Sequence, residues 1–379
     1  MNLFSRGAVI TTAMMFGLTY SLSTALIALD LAARGLSETL IGANVAMHAV
    51  GVLVTALVLP RIVARFGARR LVIGALLLAA LVLMSFPALP FVWLWFPLRI
   101  VLGASSEILF VLSETWTNSL STEDSRARWM AGYTAAISIG FALGPIILSV
   151  IGTGGFAPYA VGAVIAVAAA GLVASPRVTA PVFDEPSVGN PLYFIRLAPV
   201  AISATVLNAA IEVAGLSFLA LYAVSLGWAE ENATRLMSCM MIGAIVLQLP
   251  IGWLGDKLDR TRFTAALALL SMLGALAWPY ALASEIATYS LLFVWGGTFV
   301  GIYTMMLTIV GSRFKGAELV GIYATMGLVW GVGALAGPLL AGLAMENFTH
   351  GLAYFAAAAC GIFFLAVTFG PAQRAQISD

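Results

Sequence analysis

The chain of 379 residues is 61% hydrophobic and only 9% charged, where a soluble domain carries about a quarter charged residues. Its 17 acidic and 18 basic side chains cannot cover a water-facing surface of this size, which excludes a soluble globular fold. The net charge of +1 gives no basic tract for nucleic acid, and two cysteines with two histidines leave neither a disulfide framework nor a multi-histidine metal centre.

A helix crossing the hydrocarbon needs about 20 mostly apolar residues and must satisfy its own backbone. Twelve stretches qualify, at 7–29, 39–60, 71–89, 91–119, 129–152, 157–175, 195–226, 233–254, 263–283, 286–311, 318–345 and 350–370. The first follows Met1–Arg6 without a small-residue cleavage site and reads as a retained helix. Span two carries Asn44 and His48 one turn apart, read as a hydrogen-bonding pair between helices. Runs such as Leu71–Ala80 and Ala160–Ala174 are apolar on every side, which excludes the alternating pattern of a membrane β-barrel. Span four holds Arg99, Glu107 and Glu114. The two acids are seven residues apart, about 20° from alignment and ~10 Å along the axis. Between spans six and seven lies the longest polar interruption, with Pro176, Pro181, Pro186 and Pro191. Span seven then carries Asn208 and Glu212 one turn apart, with the acid near mid-depth. Trp93, Trp95, Trp228 and Trp278 near span ends read as interfacial anchors.

With the N-terminus cytoplasmic, 15 of the 18 basic residues fall in cytoplasmic segments, Arg34 and Arg235 fall opposite, and Arg99 lies within a span. That bias satisfies the positive-inside rule and places both termini in the cytoplasm. The chain also repeats itself. Gly140…Gly144-Pro145 recurs as Gly333…Gly337-Pro338, and the basic loop Arg65…Arg70 recurs as Lys257…Arg262, both at an offset of 192 or 193 residues. The expected fold is therefore all-α and integral to the membrane, with twelve transmembrane helices in two pseudo-symmetric six-helix bundles. Residues 1–175 and 195–379 form the bundles and 176–194 the cytoplasmic linker. Spans 3, 6, 9 and 12 are almost purely apolar and should face lipid, whereas spans 1, 4, 7 and 10 carry the polar groups of a central path.

These residues resemble the major facilitator superfamily. Its loop motif reads here Gly252-Trp-Leu-Gly-Asp256-Lys257-Leu-Asp259-Arg260, its span-four signature Arg99…Gly103, and its span-five signature Gly140…Gly144-Pro145. Glu114-Thr115 and Met345-Glu-Asn-Phe348 resemble the YcaD-like branch. The first-half loop departs from the motif: Pro60 stands in place of Gly252, and Ala64 in place of Asp256. The resemblance implies a secondary active transporter working by alternating access, with a cytoplasmic gate at Gly252, Asp256, Lys257, Arg260 and Arg262.

Ionisable groups within a membrane are functional hypotheses by default. Arg99, Glu107, Glu114, Glu212 and Asn208 are accordingly the candidate proton-coupling or solute-cavity residues. Gly140, Gly144, Pro145, Gly333, Gly337 and Pro338 are candidates for close packing and helix bending. The expected partners are a small organic solute, protons and the lipid bilayer, with no nucleic acid, cofactor or metal, and the expected state is a monomer. Acids in an apolar cavity favour export of amphipathic or cationic compounds. Uptake of a metabolite, and an uncoupled channel or receptor, are the alternatives. No Walker-type sequence supplies ATP binding, and no nucleophile–base constellation supports a membrane enzyme.

Overall fold

A backbone placed in hydrocarbon must bond to itself, and helix is what a single segment can form to do so. The computed structural model describes residues 3–119, 126–179, 191–313 and 316–369, and they are helical apart from short connections. In chain order the helices are α1 (Leu3–Ala33), α2 (Glu38–Phe66), α3 (Ala68–Ala88), α4 (Trp95–Ser119), α5 (Arg126–Ile151), α6 (Ala157–Ala174), α7 (Pro191–Leu197), α8 (Pro199–Ser225), α9 (Glu230–Val246), α10 (Gln248–Lys257), α11 (Arg260–Ala281), α12 (Glu285–Arg313), α13 (Gly316–Asn347) and α14 (Gly351–Phe369). Among the described residues, eleven stretches are long and apolar enough to cross a membrane, and Ala135–Ile151 of α5 is a shorter apolar helix in the place of the fifth span.

Several spans differ from the sequence expectation; α2, for one, runs six residues further, to Phe66. The first is longer, so Asp30 belongs to α1 rather than to the following loop. The seventh begins at Pro199, because proline offers no N–H to continue a helix from α7. The eighth is two helices, parted at Leu247, where Pro250 cannot bond back to the carbonyl of Val246.

Contacts divide the chain into two units. The first comprises Met1–Leu36, Asn44–Ser187 and Ala229–Ser238; the second comprises Ser37–Ala43, Val188–Trp228 and Cys239–Asp379. Within the first, α1 packs on α5, α4 and α6, and α3 packs on α6 and α4. Within the second, α8 packs on α13, α14 and α12, and α11 packs on α14 and α12. The innermost spans are those of α1 and α8, whose apolar windows are 89% and 78% buried against at most 56% for the others. The mostly apolar α3, α6, α11 and α14 turn large side chains outward, among them Leu81, Val164, Leu270 and Ile362.

The duplication is built into the packing. A Cβ on Gly51 would meet Ile100 O at 2.0 Å, and one on Gly103 would meet His48 O at 2.0 Å, so α2 and α4 cross backbone to backbone. At offsets of 192 and 193 residues, Gly243 stands against Phe293 O and Gly296 against Met240 O, joining α9 to α12 in the same way. Likewise Gly140 meets Met14 O and Gly333 meets Val206 O, seating α5 on α1 and α13 on α8. Gly144 and Gly337 repeat the approach one turn on, against Ser21 and Ala210, and the helices run unbroken through Pro145 and Pro338.

The tryptophans sort differently from their sequence positions. Trp93 is exposed, but Trp95 is fully buried. Its indole N–H donates to Leu89 O at 3.3 Å, with the Phe86 ring edge-on and the Arg34 guanidinium over its face. Trp278 is also buried, beside Trp295. These two residues fill bundle interiors, because a neighbouring helix supplies the apolar wall that the membrane interface would otherwise provide.

Candidate functional site

In the first unit, α4 carries the sequence candidates Arg99, Glu107 and Glu114. Arg99 has no exposed surface, whereas Glu107 and Glu114 are half-buried. The two acids interact electrostatically, as their seven-residue spacing on one helix face requires. Glu114 also acts on Tyr133 of α5, whose hydroxyl donates to Phe110 O at 3.4 Å. Arg99 forms no ion pair among the described residues.

Beside the acids runs an aromatic wall that sequence patterning did not single out. Phe16 of α1 packs against Phe110 of α4 at 5.0 Å and against Phe141 of α5 at 5.9 Å, and Tyr20 stands 5.7 Å from Phe141. Phe16, Phe110 and Phe141 are only half-buried. Phe110 is three residues from Glu107, so apolar ring and carboxyl share one helix face. An apolar lining with a few placed polar groups is the usual composition of a small-molecule site. The only sequence signal was aromatic spacing on polar helices, and ordinary core packing shares that signal.

Asp30 joins a second group in this unit. It accepts from the Tyr159 hydroxyl at 3.0 Å and from Arg34 Nε at 3.0 Å. It escaped the sequence reading because the apolar run ends one residue earlier.

In the second unit, Asn208 and Glu212 come together as their spacing predicts: Asn208 Nδ2 donates to Glu212 Oε2 at 3.1 Å. Both are half-buried on α8. Gln248, at the start of α10 just after the break, accepts from the Thr304 hydroxyl at 2.5 Å. Among the described residues no cluster of three His, Cys, Asp or Glu side chains could hold a metal.

The gate candidates flank the two-residue connection between α10 and α11, with Gly252, Asp256 and Lys257 in α10 and Arg260 and Arg262 in α11. Lys257 lies 3.6 Å from the ring centre of Trp253, one turn back on its own helix. Asp259 caps α11 by accepting from Arg262 N at 2.8 Å. Arg260 opens α11, Gly252 lies in α10 with open space beside it, and the side chain of Asp256 lies outside the described residues. At the corresponding place in the first half, Arg69 in the first turn of α3 donates to Val173 O, Ala174 O and Ser175 O, capping the last turn of α6.

Comparison with known proteins agrees with this architecture. The sequence model of the Major Facilitator Superfamily matches residues 8–318 and 200–378. The uncharacterized MFS-type transporter YfkF of Bacillus subtilis (strain 168) is 23% identical over 333 residues, covering 85% of this chain and 84% of that protein. The uncharacterized MFS-type transporter YcaD of Shigella flexneri serotype 5b is 22% identical over 281 residues, covering 72% and 71%. Among solved structures, the nucleoside transporter NupG superposes with a TM-score of 0.78 at 14% identity, covering 97% of this chain and 98% of that one. A D-xylose-proton symporter superposes at 0.74 with 17% identity, covering 97% and 98%. At these identities the structural likeness speaks for the fold.

Proposed function

This chain belongs to the Major Facilitator Superfamily and is a multi-pass membrane transporter, and from that premise we propose that it moves a small organic solute by alternating access, coupled to protons and running as an exporter. The observation that carries the reading is the placing of Glu107, Glu114 and Glu212 as half-buried carboxyls on α4 and α8, beside Phe16, Phe110 and Phe141 in the first unit and Asn208 in the second. A carboxyl with partial access can exchange a proton, and moving it between environments changes its proton affinity, which is what coupling needs. The charge bias supports cytoplasmic termini, and the gate residues Gly252, Asp256, Lys257, Arg260 and Arg262 would then face the cytoplasm.

Alternating access also needs contacts that can be made and broken. Thr39 donates to Glu346 within the second unit, and Thr153 donates to Glu230 within the first. Thr153 and Glu346 stand 193 residues apart, at equivalent places after α5 and at the end of α13, so the repeat exchanges donor for acceptor. Hydroxyl–carboxylate bonds at helix ends are of the right strength to hold one state reversibly. The glycine approaches on α5 and α13 support sliding of these helices over α1 and α8, with Pro145 and Pro338 as points of bending.

The test is purified protein in proteoliposomes loaded with a pH-reporting dye and challenged with a panel of small organic solutes under an imposed pH gradient. The reading predicts saturable, gradient-dependent solute movement accompanied by protons, directed outward in cells. Non-saturating flux indifferent to the gradient would favour the uncoupled alternative, and net inward accumulation would favour uptake.

A further inference from the structure

One group of buried polar side chains in the first unit has no use in proton coupling as described. Among the described residues none of the three guanidinium nitrogens of Arg99 has a hydrogen-bond partner, and the side chain is fully buried. The same holds for both amide atoms of Asn44, both ring nitrogens of His48 and the hydroxyl of Thr24, each 3% exposed or less. Among the described residues the bond expected between Asn44 or His48 and a neighbouring helix is absent, although both side chains are buried. Buried polar atoms are nearly always partnered, so four such residues together need an explanation.

Their proximity follows from the α2–α4 crossing. Gly103, one turn after Arg99, lies against the His48 carbonyl, and Gly51 against that of Ile100. Arg99 acts electrostatically on His48 and lies within reach of Tyr20 and Tyr159. The Tyr20 ring stands edge-on to the His48 imidazole at 4.8 Å. Thr24 is one turn beyond Tyr20 on α1, and Asn44 one turn before His48 on α2.

The internal repeat shows that the fold does not require polar groups here. The positions equivalent to Thr24, Asn44, His48 and Arg99 are Leu216, Leu236, Met240 and Leu292 at the same offsets of 192 and 193 residues, all buried. The second half makes the corresponding crossing with apolar side chains at these four places. The polar set is therefore an addition to a packing solution that works without it.

Its chemistry selects the ligand. Guanidinium, amide and imidazole together present more N–H donors than acceptors, around one fixed positive charge. A single small anion accepts several such bonds at once and neutralises the charge. We propose that Arg99, His48, Asn44 and Thr24 bind one small monoanionic group, either a free halide or the carboxylate of the carried solute. This deepens the transport reading by naming a charge class, and departs from the cationic solutes that the acids alone suggest.

The test is thermal unfolding of the full chain in nanodiscs, with sodium chloride or sodium benzoate compared with sodium sulfate at equal ionic strength. The wild-type midpoint is expected to rise by about 2 °C or more in at least one of the two. A rise in chloride alone assigns a resident halide, and a rise in benzoate alone assigns a solute carboxylate. Arg99→Gln should abolish the rise and Arg99→Lys keep part of it. Asn44→Ala and His48→Gln retain the charge and should raise the half-saturating concentration about 10-fold; they carry the test if Arg99→Gln does not fold. No rise in wild type, or the same rise in every folded variant, overturns the proposal. The measurement uses no gradient and no flux, so a failure of proton coupling leaves its outcome untouched.

Discussion

Gly103 has no room for one added carbon. A methyl there would sit 2.0 Å from a backbone oxygen of α2, which no side-chain rotation can relieve. Gly103→Ala should therefore force α2 and α4 apart and lower stability by about 1–3 kcal/mol, the range for overpacking. Gly74 of α3 has open space around it, so Gly74→Ala should instead raise stability by up to ~1 kcal/mol through helix propensity. Thermal unfolding of the two variants in one detergent checks both signs. Sequence alone does not rank the glycines, since Gly74 and Gly103 look alike until the facing backbone is known. The same limit applies to the ionisable residues. Asn208 and Glu212 pair as their one-turn spacing says, because that contact is local to one helix. Whether His48 or Arg99 finds a partner depends on other helices, and among the described residues neither does.

At the level of elements, hydropathy marks the middle of each span and leaves its ends open. Twelve apolar runs mark the spans because hydrocarbon leaves the backbone no other choice. Their boundaries moved where a local rule outweighed the run: Pro199 splits α7 from α8, Pro250 parts α9 from α10, and Asp30 stays helical because Arg34 and Tyr159 satisfy it. The start of α11 depends on one side chain, the Asp259 cap. Asp259→Ala should cost about 1 kcal/mol and Asp259→Ser much less, measurable by thermal unfolding. The two hydroxyl–carboxylate bonds make an element-scale prediction about motion. Removing one, as in Thr39→Val, should change transport rate modestly, whereas Thr39→Val with Thr153→Val should shift the balance of states by about 10-fold or more. Cysteine-accessibility labelling near Gly42 reads that shift, and unchanged labelling in the double variant would remove these bonds from the mechanism.

Across the whole molecule the chain solves one packing problem twice and loads the solutions differently. The first half places Arg99, His48 and Asn44 where the second places Leu292, Met240 and Leu236, and the second places Glu212 where the first has Tyr20. Importing the second half's set, as Asn44→Leu, His48→Met, Arg99→Leu, should give a folded protein that is as stable as wild type or more so, by about 1–4 kcal/mol. It should have lost its response to anions and its transport. A strongly destabilised triple variant would mean that the polar set holds the first half together. The repeat itself was legible in the sequence from two landmarks at nearly one offset. The unequal loading was not, because it shows only when equivalent positions are matched through the glycine crossings. The most direct measurement is uphill solute accumulation in proteoliposomes under an imposed pH gradient, comparing wild type with Glu107→Gln, Glu114→Gln and with Glu212→Gln. Proton coupling through these carboxyls predicts that the variants still equilibrate solute but no longer concentrate it; concentration to the wild-type ratio in all of them would contradict it.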